Sequence, residues 1–282
     1  HMVAKRIARR KPDIPIVDYV LPSVWAWRQG RARAMKNYIR RVLALLPFEP
    51  QFLKTVGVDC VYVGHPAIER LPEPGSGTRF RDRHGIARDA PLLLVLPGSR
   101  VNEVKHLVGI FGDVVRQLVK ETPGLRVVIP AVPHVRALVE SSAERWGVAI
   151  DIVSGEDEKR AAFDAATAAL AASGTVSLEL GLARVPMVIA YRAEAIVGWF
   201  ALNVLKIPSV VLVNLILDRP SVREFLHSRC TAEELAAGIR PLLADTAERR
   251  RAIADLEEVR ARMGVGGESP NTRAARAVLE LL

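Results

Sequence analysis

The regular alternation of short apolar runs with longer segments of helical period is the feature that most constrains the fold of this chain. Apolar runs of about four to eight residues are typical of buried strands, and strands that alternate with helices predict parallel sheets. One series of such runs lies at 14–20, 42–47 and 60–66, and a second lies at 92–96, 125–130, 149–153, 168–172 and 186–191. The pattern therefore predicts an α/β protein with parallel sheets.

The gap between the two series predicts a domain boundary. Residues 69–85, ERLPEPGSGTRFRDRHG, are rich in proline, glycine and charge, and 282 residues suffice for two domains of about 150 residues each. We expect a partial N-terminal domain at 3–71, a second domain at 72–250, and C-terminal helices at 251–282 that cross back to the first domain or exchange between subunits. His1-Met2 resembles a cloning scar, and the next residues read as the end of a basic helix with no strand before it. We therefore expect the first domain to be incomplete.

Positive charge is concentrated at the beginning of the chain. The net charge is +9, and residues 1–41 contain 11 Lys and Arg against two acids, Asp13 and Asp18. Two aromatic residues stand among these cations, in a stretch that contains Trp25, Trp27, Arg28, Arg31 and Arg33. Such a stretch suits an anionic membrane surface and would also attract nucleic acid, although a solvated helix face is the simplest interpretation.

The cysteines and histidines give no pattern of a disulfide framework or a metal site. Cys60 and Cys230 are too few for either, which favours a reducing cytoplasm. The spacing of His106, His134 and His227 fits no metal site. We interpret His65 as a structural residue of the domain hinge and His227 as a surface helix residue.

One apolar stretch, residues 195–217, is long enough to span a membrane. Two asparagines, a lysine and a proline interrupt it, so the sequence favours a helix to Leu205 followed by a strand from Ser209. Insertion of the Trp199-Phe200 end into a membrane surface remains an alternative.

The segment PLLLVLPGSRVNEV, from residue 91, joins a buried strand to a helix through Pro97-Gly98-Ser99-Arg100. The first amides of a helix are unpaired donors at the positive end of its dipole, glycine lets an anion approach the backbone, and arginine can bind a phosphate through two hydrogen bonds. The loop is thus a candidate phosphate site. The alternative is an ordinary strand-to-helix turn with Ser99 as its cap.

A second loop of the same kind, Ser173-Gly174-Thr175, follows the apolar run at 168–172. In a doubly wound sheet, ligands bind outside the carboxyl ends of the strands, where both loops would lie. Two such loops fit a diphosphate better than one, and Glu179 is a candidate acceptor for the two hydroxyls of a ribose. A carboxylate that is merely favoured near a helix N-terminus is the alternative for Glu179.

Four groups of residues together resemble the lipid-A-disaccharide synthase family. They are LPGSRVNEV, ASGTVSLELGLARVPMVIAYR, VLVNLILDRPSVREFL, and SVWAWRQGR with RVLALLPFEPQFL and VYVGHP, in the family's order and spacing from about residue 12 to the C-terminus. The resemblance implies a glycosyltransferase of the GT-B type, with two Rossmann-like domains of which the first is incomplete here.

The family's activity follows as an expectation. The resemblance implies transfer of diacylglucosamine from UDP-2,3-diacylglucosamine to 2,3-diacylglucosamine 1-phosphate, which inverts the anomeric centre, forms the β-1,6 disaccharide and releases UDP. It further implies that the protein needs no metal or other cofactor and has no nucleic acid partner. It also implies a peripheral position on the cytoplasmic face of an anionic inner membrane, and a homodimer is compatible with it.

The resemblance also implies which residues form the sites. The donor-binding residues would be Gly98, Ser99, Arg100, Glu103, Ser173, Gly174, Thr175, Glu179, Tyr191 and Asn214. The acceptor and membrane side would use Trp25, Trp27, Arg28, Arg31 and Arg33.

Several positions depart from the family pattern. They are Val213 in place of a proline, Arg223 and Phe225 around Glu224, His227 in place of a glutamine, and Glu194 and Val197 in place of hydroxyl residues. About the first third of the family's length, which carries the aspartate expected as general base, has no counterpart here, and neither Asp13 nor Asp18 matches that motif.

Because of these departures, the sequence does not decide whether this chain is catalytically active. The alternatives are another UDP-sugar enzyme of the same architecture, a 2-epimerase or the transferase of peptidoglycan lipid synthesis, and a non-catalytic remnant that binds membranes or polyanions.

Overall fold

The computed structural model describes residues 1–21, 29–192 and 209–281, which divide into two compact units. The first unit comprises His1–Glu69 together with the chain from Arg260 onward, and the second comprises the described residues between Arg70 and Val259.

The first unit contains a parallel three-stranded sheet in the order β1-β2-β3. Its strands are β1 (Val17–Tyr19), β2 (Arg41–Ala44) and β3 (Cys60–Tyr62), and its helices are α1 (Met2–Arg10), α2 (Gln29–Met35), α3 (Glu49–Thr55), α12 (Pro270–Leu279) and a 3₁₀ helix at Pro66–Arg70. Apolar side chains on one face of the sheet form a core around Met35, Val42 and Leu53.

The C-terminal helix α12 is tied to the first sheet by Arg41. Its guanidinium donates to the Ala277 carbonyl at 2.9 Å and to Glu280 at 2.7 Å, while its Nε donates to Asp59 at 2.8 Å. The helix begins at Pro270, where the Ser269 hydroxyl accepts the backbone N–H of the third residue after it.

The second unit is built on a parallel six-stranded sheet in the order β6-β5-β4-β7-β8-β9. Its strands are β4 (Leu92–Leu96), β5 (Arg126–Pro130), β6 (Asp151–Val153), β7 (Ala168–Ala172), β8 (Met187–Tyr191) and β9 (Arg223–Leu226). Its helices are α4 (Ser76–Arg83), α5 (Val101–Glu121), α6 (Pro133–Ala143), α7 (Glu156–Ala165), α8 (Val176–Leu182), α9 (Leu212–Leu217), α10 (Ala232–Ile239), α11 (Ala247–Met263), and 3₁₀ helices at Glu144–Trp146, His227–Arg229 and Arg240–Leu242. Every residue of β4 and β7 is buried, as expected for central strands of a parallel sheet covered on both faces.

The predicted α/β class and parallel sheets are confirmed, and the eight predicted strands are present, β4 and β7 with the predicted bounds and the others with bounds that differ by one to four residues at an end. The ninth strand, β9, was not predicted because its first two residues are charged, which an edge position tolerates. The strand predicted from Ser209 is wrong: Val211 donates its backbone N–H to the Ser209 hydroxyl, and α9 begins at the next residue. A short apolar run that is buried on several sides fits a helix as well as a strand, so periodicity could not separate them.

The predicted boundary segment at 69–85 is not a simple linker, because it contains α4. This helix packs against α7 so closely that Gly77 has no room for a side chain: an added Cβ would lie 2.5 Å from the backbone carbonyl carbon of Asp164. The Gly77 backbone N–H donates to the Asp164 carboxylate at 2.6 Å. The polar composition of this segment did not predict the helix, because α4 is held against α7 by a backbone hydrogen bond and close backbone packing at Gly77.

Within the described ranges, no helix has the length and apolar character needed to cross a membrane. The predicted helix up to Leu205 and the Trp199-Phe200 end lie outside the described residues, as do Glu194 and Val197.

Candidate functional site

The carboxyl ends of β4, β7, β8 and β9 meet at one edge of the six-stranded sheet. β4 and β7 are hydrogen-bonded neighbours, with Leu96 opposite Ala171, so the loops that follow them lie side by side. The chain order reverses between these two strands, and this is the position at which open parallel sheets bind ligands.

The loop after β4 has a conformation that only glycine accepts easily. Gly98 has a φ of +124°, and an added Cβ would lie 2.7 Å from the Cβ of Glu103. One carboxylate oxygen of Glu103, Oε2, accepts the backbone N–H groups of Ser99 at 3.2 Å and Arg100 at 3.3 Å. Glu103, not Ser99, therefore caps this helix start, and the alternative of a cap formed by Ser99 is wrong.

Arg100 points its charge toward solvent from the same loop. Its side chain is 80 % exposed, and its guanidinium pairs with Oε1 of Glu103 at 2.6 Å. An exposed pair of this kind contributes little to stability, so the guanidinium is available to an anion.

His134 holds the other side of the loop. Its Nε2 lies 2.5 Å from the Ser99 carbonyl oxygen, and because a carbonyl only accepts, this nitrogen carries the hydrogen. His134 belongs to the first turn of α6, which follows β5, the neighbour of β4 in the sheet. No sequence motif marks His134, and only the strand order brings it to this loop.

The loop after β7 leaves a free space at Gly174. An added Cβ there would meet no atom within 4 Å, and the φ of Gly174 is not positive, so neither crowding nor backbone conformation requires a glycine. The hydroxyl of Ser173 donates to the Val210 carbonyl at 3.0 Å, and Thr175 precedes α8 as its N-cap residue. Gly174 therefore keeps the backbone at this edge open to an approaching group.

Glu179, in the first turns of α8, forms an ion pair with Lys159 of α7. The Lys159 Nζ lies 2.9 Å from Glu179 Oε2 and 3.1 Å from Glu156 Oε2. Burial lowers the pKa of Lys159, but its hydrogen bonds and charge interactions with the two carboxylates outweigh burial, so the pKa is raised and the ammonium stays charged. No motif marks Lys159, which reads in the sequence only as a polar residue on a connecting helix.

Tyr191 ends β8 and lies against His227, with the ring centroids 5.5 Å apart in an edge-to-face arrangement. His227 follows β9 directly, opens a short 3₁₀ helix and has a φ of +49°. His227 therefore lies in a helix, as predicted, but it is only partly exposed, because its ring packs on Tyr191 at the carboxyl edge of the sheet.

Asn214 is buried, and its amide is fully used inside the protein. Its Oδ1 accepts the backbone N–H groups of Ser221 at 3.0 Å and Val222 at 2.7 Å, and its Nδ2 donates to the Val222 carbonyl at 2.9 Å and to the Ser209 hydroxyl at 3.3 Å. Four hydrogen bonds exhaust a side-chain amide. In this structure Asn214 shapes the turn between α9 and β9, and its expected contact with the donor stays a prediction.

The residues predicted for the acceptor and membrane side are described only in part. Trp25, Trp27 and Arg28 lie outside the described residues, whereas Arg31 and Arg33 belong to α2 and Arg33 is exposed. His65, in the first unit, accepts the backbone N–H of Ala67 at 3.0 Å, in keeping with a structural residue. Across the described parts of the chain, no three His, Cys, Asp or Glu side chains are grouped to hold a metal ion.

Comparison with known proteins identifies the family. The family model described as Lipid-A-disaccharide synthetase matches residues 1–278. The lipid-A-disaccharide synthase of Nitrobacter hamburgensis is 46% identical over 285 residues, which cover 100% of this chain and 71% of that protein. The Rhodospirillum centenum synthase is 45% identical over 280 residues, which cover 99% and 70%.

The chain belongs to the lipid-A-disaccharide synthase family. It is accordingly a glycosyltransferase of lipid A biosynthesis, and it spans 71% of the length of the Nitrobacter relative. The resemblance inferred from the sequence is confirmed.

Solved structures of low sequence identity share the GT-B fold. Anabaena HepE in complex with UDP has a TM-score of 0.57 at 15% identity, covering 99% of this chain and 74% of that one. The calicheamicin glycosyltransferase CalG4 has 0.58 at 17%, covering 100% and 71%. The UDP-GlcNAc 2-epimerase of Neisseria meningitidis bound to UDP-GlcNAc has 0.66 at 12%, covering 98% and 72%. At such identities the likeness shows the fold alone. Because the family match assigns the chain to the lipid-A-disaccharide synthases, the 2-epimerase alternative is not favoured.

Proposed function

We propose that this chain binds the UDP-2,3-diacylglucosamine donor at the carboxyl edge of its six-stranded sheet and transfers the sugar to 2,3-diacylglucosamine 1-phosphate. One observation carries the proposal: in a member of this family, the Gly98-Ser99-Arg100 loop and the open Gly174 loop follow two adjacent central strands, and Glu179 lies in the helix after the second loop.

The diphosphate would bind between the two loops. Arg100 supplies an exposed guanidinium that can donate hydrogen bonds to two phosphate oxygens, and Gly174 leaves the backbone of the opposite loop accessible. Glu103 already occupies the amides of Ser99 and Arg100, so the diphosphate either displaces this carboxylate or binds beside it. In both arrangements a negative charge lies next to the phosphates and weakens their binding.

The nucleoside would lie toward α8. Glu179 Oε1 has no hydrogen-bond or ion-pair partner within the part of the chain that the structure describes, so this oxygen can accept a ribose hydroxyl. Tyr191 borders the same edge, one strand further along the sheet.

The transfer is a single displacement with inversion. The acceptor 6-hydroxyl oxygen forms a bond to the anomeric carbon while the bond from that carbon to the UDP oxygen breaks, and UDP leaves with the bonding electrons. Negative charge that develops on the departing diphosphate is stabilised by Arg100 and, where the diphosphate displaces Glu103, by the backbone amides of Ser99 and Arg100. The hydroxyl proton passes to a base that we assign to no residue of this chain.

The basic N-terminal stretch would serve the acceptor side. Residues 1–41 carry all of the net charge, +9, and the tryptophans at 25 and 27 lie within them. Each Lys or Arg near an anionic bilayer contributes about 1 kcal/mol of attraction. We propose that this stretch, with Arg28, Arg31 and Arg33, meets the cytoplasmic face of the inner membrane and the acceptor 1-phosphate.

Calorimetric titration with UDP, and with ADP as the control nucleotide, tests the donor site. We expect binding that prefers UDP, an Arg100→Ala variant that weakens UDP about tenfold or more, and an Arg88→Ala variant that leaves it unchanged. Arg88 is a matched control because it is 69% exposed and pairs with Asp82 in the same unit. A cooperatively melting protein that binds neither nucleotide but binds anionic liposomes would contradict the proposal and favour the non-catalytic remnant.

A further inference from the structure

We propose that Lys159 is a positioning residue for the donor ribose and acts through Glu179. The proposal rests on the proposed donor site and adds to it a residue on a different helix.

The two side chains meet because of the topology. α7 begins after β6 and α8 begins after β7, and both helices start at the carboxyl edge of the sheet. Lys159 and Glu179 each lie within the first turns of their helices. Their contact, at 2.9 Å, therefore forms at the edge where the loops after β4 and β7 emerge.

The contact uses one carboxylate oxygen and leaves the other available. Lys159 Nζ is paired with Glu179 Oε2, and no hydrogen-bond or ion-pair partner of Oε1 is present among the described residues. A carboxylate that accepts two vicinal hydroxyls must hold both oxygens in a fixed plane. Lys159 restrains that plane before the nucleotide arrives.

Burial makes Glu179 the more restrained of the two partners of Lys159. The Lys159 side chain is 21% exposed and Glu179 33%, whereas Glu156 is 63% exposed. Solvent screens an exposed pair, so the ammonium is held mainly by the less exposed carboxylate. Loss of Lys159 would leave Glu179 free to sample other rotamers, and ribose binding would then have to order it. Ordering one such side chain corresponds to about a three- to tenfold loss of affinity.

The test compares UDP with 2′,3′-dideoxy-UDP by calorimetry and follows the ratio of their affinities. We expect the wild-type protein to prefer UDP and Lys159→Met to reduce this preference about three- to tenfold. We expect Lys159→Arg, which keeps the charge and can reach the carboxylate, to restore most of the preference. Glu179→Gln marks the loss expected when the carboxylate itself is removed.

Glu158→Gln is the matched control, because Glu158 lies on the same helix and pairs instead with Arg83 and His84. It should leave the ratio unchanged, and thermal melting should show that all variants are folded at the temperature of the titration.

The ratio separates positioning from simpler effects. Loss of a positive charge near the diphosphate would weaken both nucleotides alike, so lower affinities with an unchanged ratio in Lys159→Met would overturn the proposal. In that outcome a reduced ratio in Glu179→Gln would leave the ribose role of Glu179 standing. An unchanged ratio in Glu179→Gln would overturn that role as well, and absence of UDP binding by the wild type would overturn the donor site itself.

Discussion

Replacement of Asn214 by alanine is expected to destabilise the second unit without removing the donor site. The substitution deprives three backbone groups of their partners: the N–H groups of Ser221 and Val222 and the carbonyl of Val222. Each buried group left unsatisfied costs about 1–3 kcal/mol, and water that enters the vacated space recovers part of this. We therefore expect a loss of about 3 kcal/mol in the free energy of unfolding.

Such a loss corresponds to a fall in melting temperature of about 6–12 °C for a domain of this size. Differential scanning calorimetry measures this fall, and UDP titration at a temperature where Asn214→Ala is fully folded measures the donor site separately. Asn271→Ala is the control, because the Asn271 amide makes an exposed hydrogen bond to Glu69 and its loss should change stability by less than about 0.5 kcal/mol. A melting temperature close to that of the wild type together with a tenfold weaker affinity for UDP would refute the structural role of Asn214.

Three further predictions concern Glu103, Cys60 and Arg41. Glu103→Gln should tighten UDP binding about fivefold in low salt, because it removes roughly 1 kcal/mol of repulsion beside the diphosphate, and calorimetry at two salt concentrations measures this. Burial, and then the charges of Glu49 and Asp59, raise the pKa of Cys60 from 9.0 to about 12, so alkylation by iodoacetamide at pH 8 should be about a thousandfold slower than in urea and should accelerate as the pH rises. Arg41→Met should loosen α12 by about 1–2 kcal/mol, measured as faster hydrogen exchange of its amides.

Each of these predictions has a result that would contradict it. Weaker UDP binding by Glu103→Gln at every salt concentration would mean that this carboxylate serves the site only by holding the loop. Equal alkylation rates for Cys60 in folded and unfolded protein would refute the burial argument, and unchanged exchange in α12 would show that Arg41 does not hold the C-terminal helix.

Local features of the proposed donor site could be predicted from the sequence. β4, Gly98 and α5 follow one another along the chain, so strand pattern, glycine and helix start together identify the loop. The same holds for the turn after β7 and for Glu179. The family resemblance rests on these contiguous segments, and the confirmed fold class follows from their alternation.

Contacts between segments could not be predicted in this way. His134 reaches Ser99 across 35 residues of sequence, and Lys159 reaches Glu179 from a different helix; both contacts depend on the order of strands in the sheet. Asn214 also makes contacts that its family motif did not indicate, because it is buried and forms four hydrogen bonds inside the second unit.

A crystal structure of this chain grown with saturating UDP tests the central claim most directly. We predict that the diphosphate lies within hydrogen-bond distance of the Arg100 guanidinium and of the backbone at Gly174, and that a ribose hydroxyl donates to Glu179. A nucleotide bound elsewhere on the chain, or one whose ribose makes no contact with Glu179 while its phosphates avoid both loops, would contradict the account.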